Sequence, residues 1–260
     1  MKYPLLSLLS MLLLLACKNT NPQKQVEKWV PLFNGVDLKD WDIKITGYPI
    51  NYDPVKTFRV EDGLLKVRYE QYDTFSGRFG HLFYKNPFSK YRLRLEYRFV
   101  GEQVANAPPW AQKNSGVMIH GQSAKSMELI QDFPISIEVQ LLGGLDGKER
   151  PTANLCTPGT DVMMDGKWLD QHCISSSSPT FHGEEWVNVE ILVLADSLIE
   201  HYVNGVAVLA YSQPRIHGGV VNGYNERLKQ DGKILKEGSI SLQSESHPID
   251  FRKIEILVLE

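Results

Sequence analysis

Apolar and polar side chains alternate with a period of two along most of the chain beyond residue 29, which is the signature of half-buried β-strands. In the segment 91–99, Tyr91, Leu93, Leu95, Tyr97 and Phe99 fall on one face, and Arg92, Arg94, Glu96 and Arg98 on the other. Leu64 to Tyr69 and Gly80 to Lys85 read the same way. Trp186 to Ala195 and Leu198 to Val203 form a hairpin around Asp196-Ser197, and Asn204-Gly205 turns the chain tightly into Val206 to Tyr211. Ile249 to Leu259 closes the chain with Ile249, Phe251, Ile254 and Ile256 available to a core. No segment sustains a helical period with caps. The expected fold is all-β, a two-sheet jelly-roll sandwich.

Three of these strands carry an unusual polar face. In 135–142, Ser136, Glu138 and Gln140 oppose Ile135, Ile137, Val139 and Leu141. In 239–247, Gln243, Glu245 and His247 oppose Ile240 and Leu242, and in 117–120, Met118 and His120 oppose Val117 and Ile119. A carboxylate beside a carboxamide can hold a polyhydroxylated ligand or move a proton. The competing interpretation is the wet side of an ordinary sandwich. Recurrence on three separate strands favours a shared polar groove holding two carboxylates and two imidazoles.

The amino terminus bears on the compartment. Lys2 precedes an apolar run from Leu5 to Leu15, too short for a membrane span of ~20 residues but of signal-peptide length. It ends in Leu14-Leu15-Ala16-Cys17, the pattern of a bacterial lipoprotein signal, so residues 1–16 are expected to be removed and Cys17 lipidated. Residues 17–28 then form a polar tether, and residues 29–260 a single domain without an internal linker or repeat. The expected location is the bacterial cell envelope, with membrane contact only through the lipid. A net charge of −3 without a basic cluster argues against a nucleic-acid partner.

Cys156 and Cys173 remain. In an exported protein they are expected to pair, and closing a loop of about 17 residues stabilises the fold by roughly 3 kcal/mol. A metal site built from Cys156, His172, Cys173 and His182 is disfavoured, because adjacent His172 and Cys173 lack ligand spacing. No cofactor is expected, and a metal requirement is left open.

Several blocks in order resemble the 3-keto-disaccharide hydrolase domain, formerly DUF1080. They are Pro31-Leu32-Phe33-Asn34-Gly35-Val36-Asp37-Leu38-Lys39-Asp40-Trp41, then Asn114 to His120, Ile137-Glu138-Val139-Gln140, Glu200 to Gly205, and Ser241-Leu242-Gln243 through Phe251-Arg252. The resemblance covers residues 29–260 and implies a concanavalin A-like jelly roll acting on oxidised glycosides. The family has an Asp-His pair just after the last Leu-Gln, where this chain has Ser244-Glu245-Ser246-His247. Residues 218–236 look like an inserted loop.

The resemblance implies elimination. A ketone at C3 of a glycoside acidifies the C2 proton; a base removes it, the enolate expels the C1 substituent, and water adds afterwards. Such a site needs a base, a donor to the enolate oxygen and an acid for the leaving oxygen. Glu138 or His120 is the candidate base, Gln140 or Gln243 the amide donor, and His247 or His201 the acid. His201 lies between Ile199 and Val203, which point to the core, so a structural role competes there. Asn114, Glu245 and Trp168 are further candidate substrate contacts. Two rivals stand beside this one: a conventional glycosidase using Glu138 and Glu245, and a sugar-binding module with platforms drawn from Trp110, Trp168, Tyr211 and Tyr224. Trp41 and Trp186 are expected in the core.

Overall fold

The computed structural model describes residues 28–260, so Cys17 and most of the tether lie outside the described residues. Seventeen strands are seen among those described: β1 (Val30–Pro31), β2 (Trp41–Ile45), β3 (Phe58–Glu61), β4 (Leu64–Val67), β5 (Gly80–Tyr84), β6 (Lys90–Phe99), β7 (Asn114–Gly121), β8 (Ile137–Leu142), β9 (Asn154–Cys156), β10 (Thr160–Met164), β11 (Lys167–Trp168), β12 (Cys173–Ile174), β13 (Val187–Leu194), β14 (Leu198–Val203), β15 (Val206–Ile216), β16 (Ser239–Ser244) and β17 (Ile249–Val258). Among the described residues, helix is confined to two short 3₁₀ turns, Pro109–Ala111 and Ala124–Ser126. A ten-stranded sheet runs β11-β10-β15-β14-β13-β6-β17-β4-β3, with β1 added on β17. A seven-stranded sheet runs β12-β9-β8-β7-β16-β5-β2, and every pairing is antiparallel. The molecule is a concanavalin A-like jelly-roll sandwich.

The alternation explains both faces of the larger sheet. Tyr91, Leu93, Leu95, Tyr97 and Phe99 of β6 are buried against Val117, Ile137, Val139, Ile240 and Leu242 of the other sheet in one core cluster. The opposite face of β6 is a ladder of ion pairs: Arg92 with Glu190, Arg94 with Glu255, Glu96 with Arg252 and Lys253, and Arg98 with Asp250. Asp250 is buried, but the surface pairs of this ladder contribute about 0–1 kcal/mol each, so the buried apolar face decides the register. Trp41 is in the core, with its indole N–H donating to the Leu32 carbonyl at 3.1 Å. Trp186 is not. It lies on the charged face, with the Arg252 and Arg98 guanidinium groups 3.9 and 4.7 Å from its ring centroid, where an aromatic face gains from cations.

The smaller sheet departs from an ordinary sandwich on its outward face, which is roofed rather than wet. Lys44 Nζ donates to the Leu129 carbonyl and Thr46 Oγ1 to that of Gln131, tying residues 129–131 over the sheet edge. The inserted residues 218–236 extend this roof: Val221, Tyr224, Leu228 and Leu235 pack with Ile135, Phe133 and Ile216, and Asn222 Nδ2 donates to the Asp132 carboxylate at 2.7 Å.

Candidate functional site

Register places the candidate side chains in rows. Glu138 lies across from Met118 on β7 and from Cys156 on β9, and Cys156 lies across from Cys173. One step along, Gln140 lies across from Gly116 and Asn154. The missing side chain of Gly116 is what admits Glu138. A Cβ at that position would stand 2.5 Å from Glu138 Oε1 and 2.8 Å from its Cγ, so the carboxyl is folded down over the β7 backbone.

The resulting cavity has a volume of about 380 Å³. Its polar lining comes from Glu138, Glu245, Arg150, Asn114, Gln140 and His172, and its apolar walls from Trp110, Phe133, Leu142, Pro158 and Val220, with the Cys156–Cys173 disulfide completing the lining. Burial pushes the Glu138 carboxyl above the ordinary carboxylate range. Glu245 is likewise raised well above that range, by burial and then by the negative charge of Glu138, while Arg150 opposes the rise. Two carboxyls buried in one cavity cannot both ionise readily, so the pair favours the state that carries one proton. That is the condition for one to act as base while the other donates.

Arg150 is fixed by main-chain carbonyls. Its Nη1 donates to Gly143 at 2.7 Å and to Lys113 at 3.0 Å. Its Nη2 donates to the Trp110 carbonyl at 3.5 Å, and the side chain lines the cavity. Gln140 accepts from Asn154 Nδ2 at 3.1 Å, which orients the carboxamide. His172 lines the same wall with its main-chain carbonyl held by Thr157, and burial lowers its imidazole pKa. Among the described residues, Cys156, His172 and Cys173 place ligand atoms within 4.8 Å of one another. The two sulfurs are bonded together, which leaves one imidazole and no thiolate to hold a metal.

The structure brings Glu138, Gln140, Glu245 and Asn114 together, and separates the other expected residues from them. His120 stands at the end of β7 with φ of 50°, which breaks the strand parity, and its Nε2 meets the Ala195 carbonyl at 3.0 Å beside a different pocket. His201 is a core histidine: Nδ1 meets the Ala153 carbonyl and Nε2 the Tyr211 hydroxyl, each at 2.8 Å. That contact also removes Tyr211 as a platform. Strand β16 stops at Ser244, and Ser246 has φ of 100°, so parity is lost before His247. The His247 ring packs edge-on against Phe99, near Lys113 and Arg150, and does not line the cavity. Trp168 is stacked on Arg215, 3.5 Å from the guanidinium carbon, and Tyr224 packs in the roof. Gln243 faces outward but is covered, and its neighbours lie beyond the cavity wall. Arg150 and Phe133 were not signalled by any periodicity.

The family pattern described as the 3-keto-alpha-glucoside-1,2-lyase-like domain matches residues 28–257, and the chain belongs to that family. By family it is a carbohydrate-active protein. No curated protein matches it. Among solved structures, a protein provisionally described as a glycosyl hydrolase from Parabacteroides distasonis is 18% identical, with 90% of this chain and 95% of that one covered at a TM-score of 0.52. A second from the same organism is 19% identical, covering 89% and 100% at 0.50. A structure described with endo-acting O-glycanases of the human gut microbiota is 14% identical, covering 90% and 99% at 0.51. These likenesses are of fold.

Proposed function

We propose that the cavity cleaves 3-keto-glycosides by removal of the C2 proton and expulsion of the C1 substituent, followed by hydration. The observation that carries this reading is the Glu138–Glu245 pair, buried in one cavity and raised in pKa beside the clamped Arg150. Glu138 in its ionised form takes the C2 proton. The electron pair moves into the ketone, and the developing enolate oxygen is stabilised by the Arg150 guanidinium and the Asn114 and Gln140 carboxamides. The C1–O bond breaks as protonated Glu245 gives its proton to the leaving oxygen. Water then adds across the unsaturated product, returning a hydrogen to C2 and a hydroxyl to C1. A carboxylate base whose pKa burial has raised to about 8 suits proton abstraction near neutrality. His120, His201 and His247 take no part in this scheme.

The same carboxyl pair also favours a second reading, direct displacement at C1 of an unoxidised glycoside. Incubation with a 3-keto-glucoside and the matching unoxidised glucoside separates the two. Cleavage of the keto sugar alone, reduced ~10²–10⁴-fold in Glu138→Gln, is expected from loss of the base. Cleavage of the unoxidised sugar at comparable rate overturns the elimination reading. Export and lipid anchoring at Cys17 belong to the same proposal, since they place the site outside the cytoplasm where glycosides are met.

A further inference from the structure

His120 and the inserted residues 218–236 have no place in the proposed reaction, and they meet at a second cavity. The insertion doubles back along β15. The Ile216 N–H donates to the Lys233 carbonyl at 2.9 Å, the Gly232 N–H to the Ile216 carbonyl at 2.8 Å, and the Leu235 N–H to the Pro214 carbonyl at 2.7 Å. The chain leaving it is pressed onto the end of β7: a Cβ at Gly238 would stand 2.3 Å from the His120 carbonyl carbon and 2.6 Å from its Cα. Between loop and strand lies a cavity of about 250 Å³, walled by Ile135, Ile216, Leu228 and Leu235, with His120 in its lining. It shares no lining residue with the reaction cavity. The apolar cluster of Ile135, Ile216 and Val221, with Phe133 packed on it, borders both.

One polar atom of this lining is unsatisfied. His120 is 2% exposed, and its Nε2 meets the Ala195 carbonyl at 3.0 Å. A carbonyl only accepts, so Nε2 carries the hydrogen and Nδ1 is left as a lone-pair acceptor. Nδ1 is buried and has no hydrogen-bond partner among the described residues. Burial lowers the imidazole pKa, against the Ala195 carbonyl and the Asp196 and Glu237 charges, so the lone pair persists at neutral pH. Buried polar atoms are ordinarily paired, and the other buried-side groups here are. Gln122 Oε1 accepts from the Ile135 N–H and from Gln131 Nε2, both at 2.8 Å, and Gln122 Nε2 donates to Ser126 Oγ at 3.2 Å. Ser126 Oγ in turn donates to the Ser123 carbonyl at 2.8 Å. Lys233 and Glu237 are exposed, and their opposite charges favour neither a cation nor an anion. The cavity thus offers a single acceptor among aliphatic walls. Its complement is apolar and carries a single donor, and an anion would meet the lone pair unfavourably.

We propose that His120 and the inserted loop form a second binding site, separate from the reaction cavity, for an uncharged apolar molecule bearing one hydroxyl, which donates to His120 Nδ1. The site stands or falls independently of the cleavage chemistry, and its test needs no turnover. Phenol and benzene serve as probes, since they differ by the hydroxyl alone. Calorimetry on the full chain should show saturable binding of phenol. In His120→Phe, which keeps a ring and removes the acceptor, the ratio of phenol to benzene affinity should fall about fivefold, the loss of one neutral hydrogen bond. Leu228→Trp fills the cavity from the loop side with His120 untouched, and should weaken both probes at least tenfold. A third measurement uses no variant. In protein with isotopically labelled histidine nitrogens, phenol should shift the His120 Nδ1 resonance and benzene should not. Absence of saturable binding would mean that the cavity holds water only, and would overturn the site. So would a ratio within twofold of the unaltered protein in His120→Phe, an Nδ1 resonance that phenol leaves in place, or unchanged phenol affinity in Leu228→Trp. Trp110→Ala separates the two cavities: phenol affinity should stay within twofold, and a tenfold loss would assign the probe to the reaction cavity and overturn the proposal.

Discussion

Gly116→Ala tests the geometry of the site without touching a charged residue. The new methyl would sit 2.5 Å from Glu138 Oε1, 2.8 Å from Cγ and 3.0 Å from Cδ, with no backbone atom among these contacts. Ordinary carbon contacts lie at about 3.5–4.0 Å, so the carboxyl group must retreat by about 1 Å. Gly116 lies within β7, where alanine has no backbone penalty and gains roughly 0.5–1 kcal/mol from reduced chain entropy. Forcing a side chain aside in a packed region costs roughly 1–3 kcal/mol, so the net destabilisation is about 0–2.5 kcal/mol and the sheet survives. Catalysis is far less tolerant: displacement of a base by about 1 Å costs on the order of 10² in rate. Urea unfolding followed by fluorescence gives the first quantity, and initial rates on a 3-keto-glucoside give the second. A folded Gly116→Ala protein with activity within threefold of the unaltered chain would refute the placement of the Glu138 carboxyl over β7.

The raised carboxyl pKa values set a direction for stability. Groups whose folded pKa lies above the unfolded ~4.3 stabilise fully below that value and lose the contribution as pH rises through the folded pKa. Thermal midpoints from pH 5 to 9 should fall more steeply for the unaltered protein than for Glu138→Gln, and parallel curves contradict the raised values. The buried imidazoles act oppositely: His201, lowered to about 4, stabilises above ~6.5 and loses the effect as pH falls toward 4. His201→Gln should therefore flatten the acid limb, read by the same melts. Reduction of Cys156–Cys173 should cost roughly 3 kcal/mol and loosen the cavity wall, and two reactive thiols in the unfolded, unreduced protein contradict the bond. Mass spectrometry of membrane-extracted protein should show a diacylated Cys17, and an intact Met1 in the native host contradicts the lipoprotein signal.

What the sequence made legible follows from where period two holds. Tyr91 to Phe99 declared both faces of β6 because the buried face is purely apolar and the other purely charged. Glu138 and Gln140 stood out for the same reason, as polar groups at fixed parity in an aliphatic strand. Parity fails where the backbone leaves the strand, and both misplaced imidazoles are there: His120 at φ of 50°, and His247 beyond the bend at Ser246. His201 obeyed parity and was buried by it, satisfied by Ala153 and Tyr211. Arg150 was not legible at all. Its loop reads as a polar turn, and its role arises only when folding brings the carbonyls of Lys113 and Gly143 to its guanidinium. Trp186 shows the limit of composition, since a tryptophan beside two arginines finds a place on a charged face as readily as in a core.

The most direct measurement of the central claim is the fate of the C2 hydrogen. Cleavage of a 3-keto-glucoside in deuterium oxide, stopped at early conversion and corrected for spontaneous exchange of the ketone, should yield 3-keto-glucose carrying solvent deuterium at C2, in amounts equal to the turnover. In Glu138→Gln, both cleavage and labelling should fall together. Product formed at full rate with C2 unlabelled would contradict elimination and assign Glu138 and Glu245 to displacement at C1.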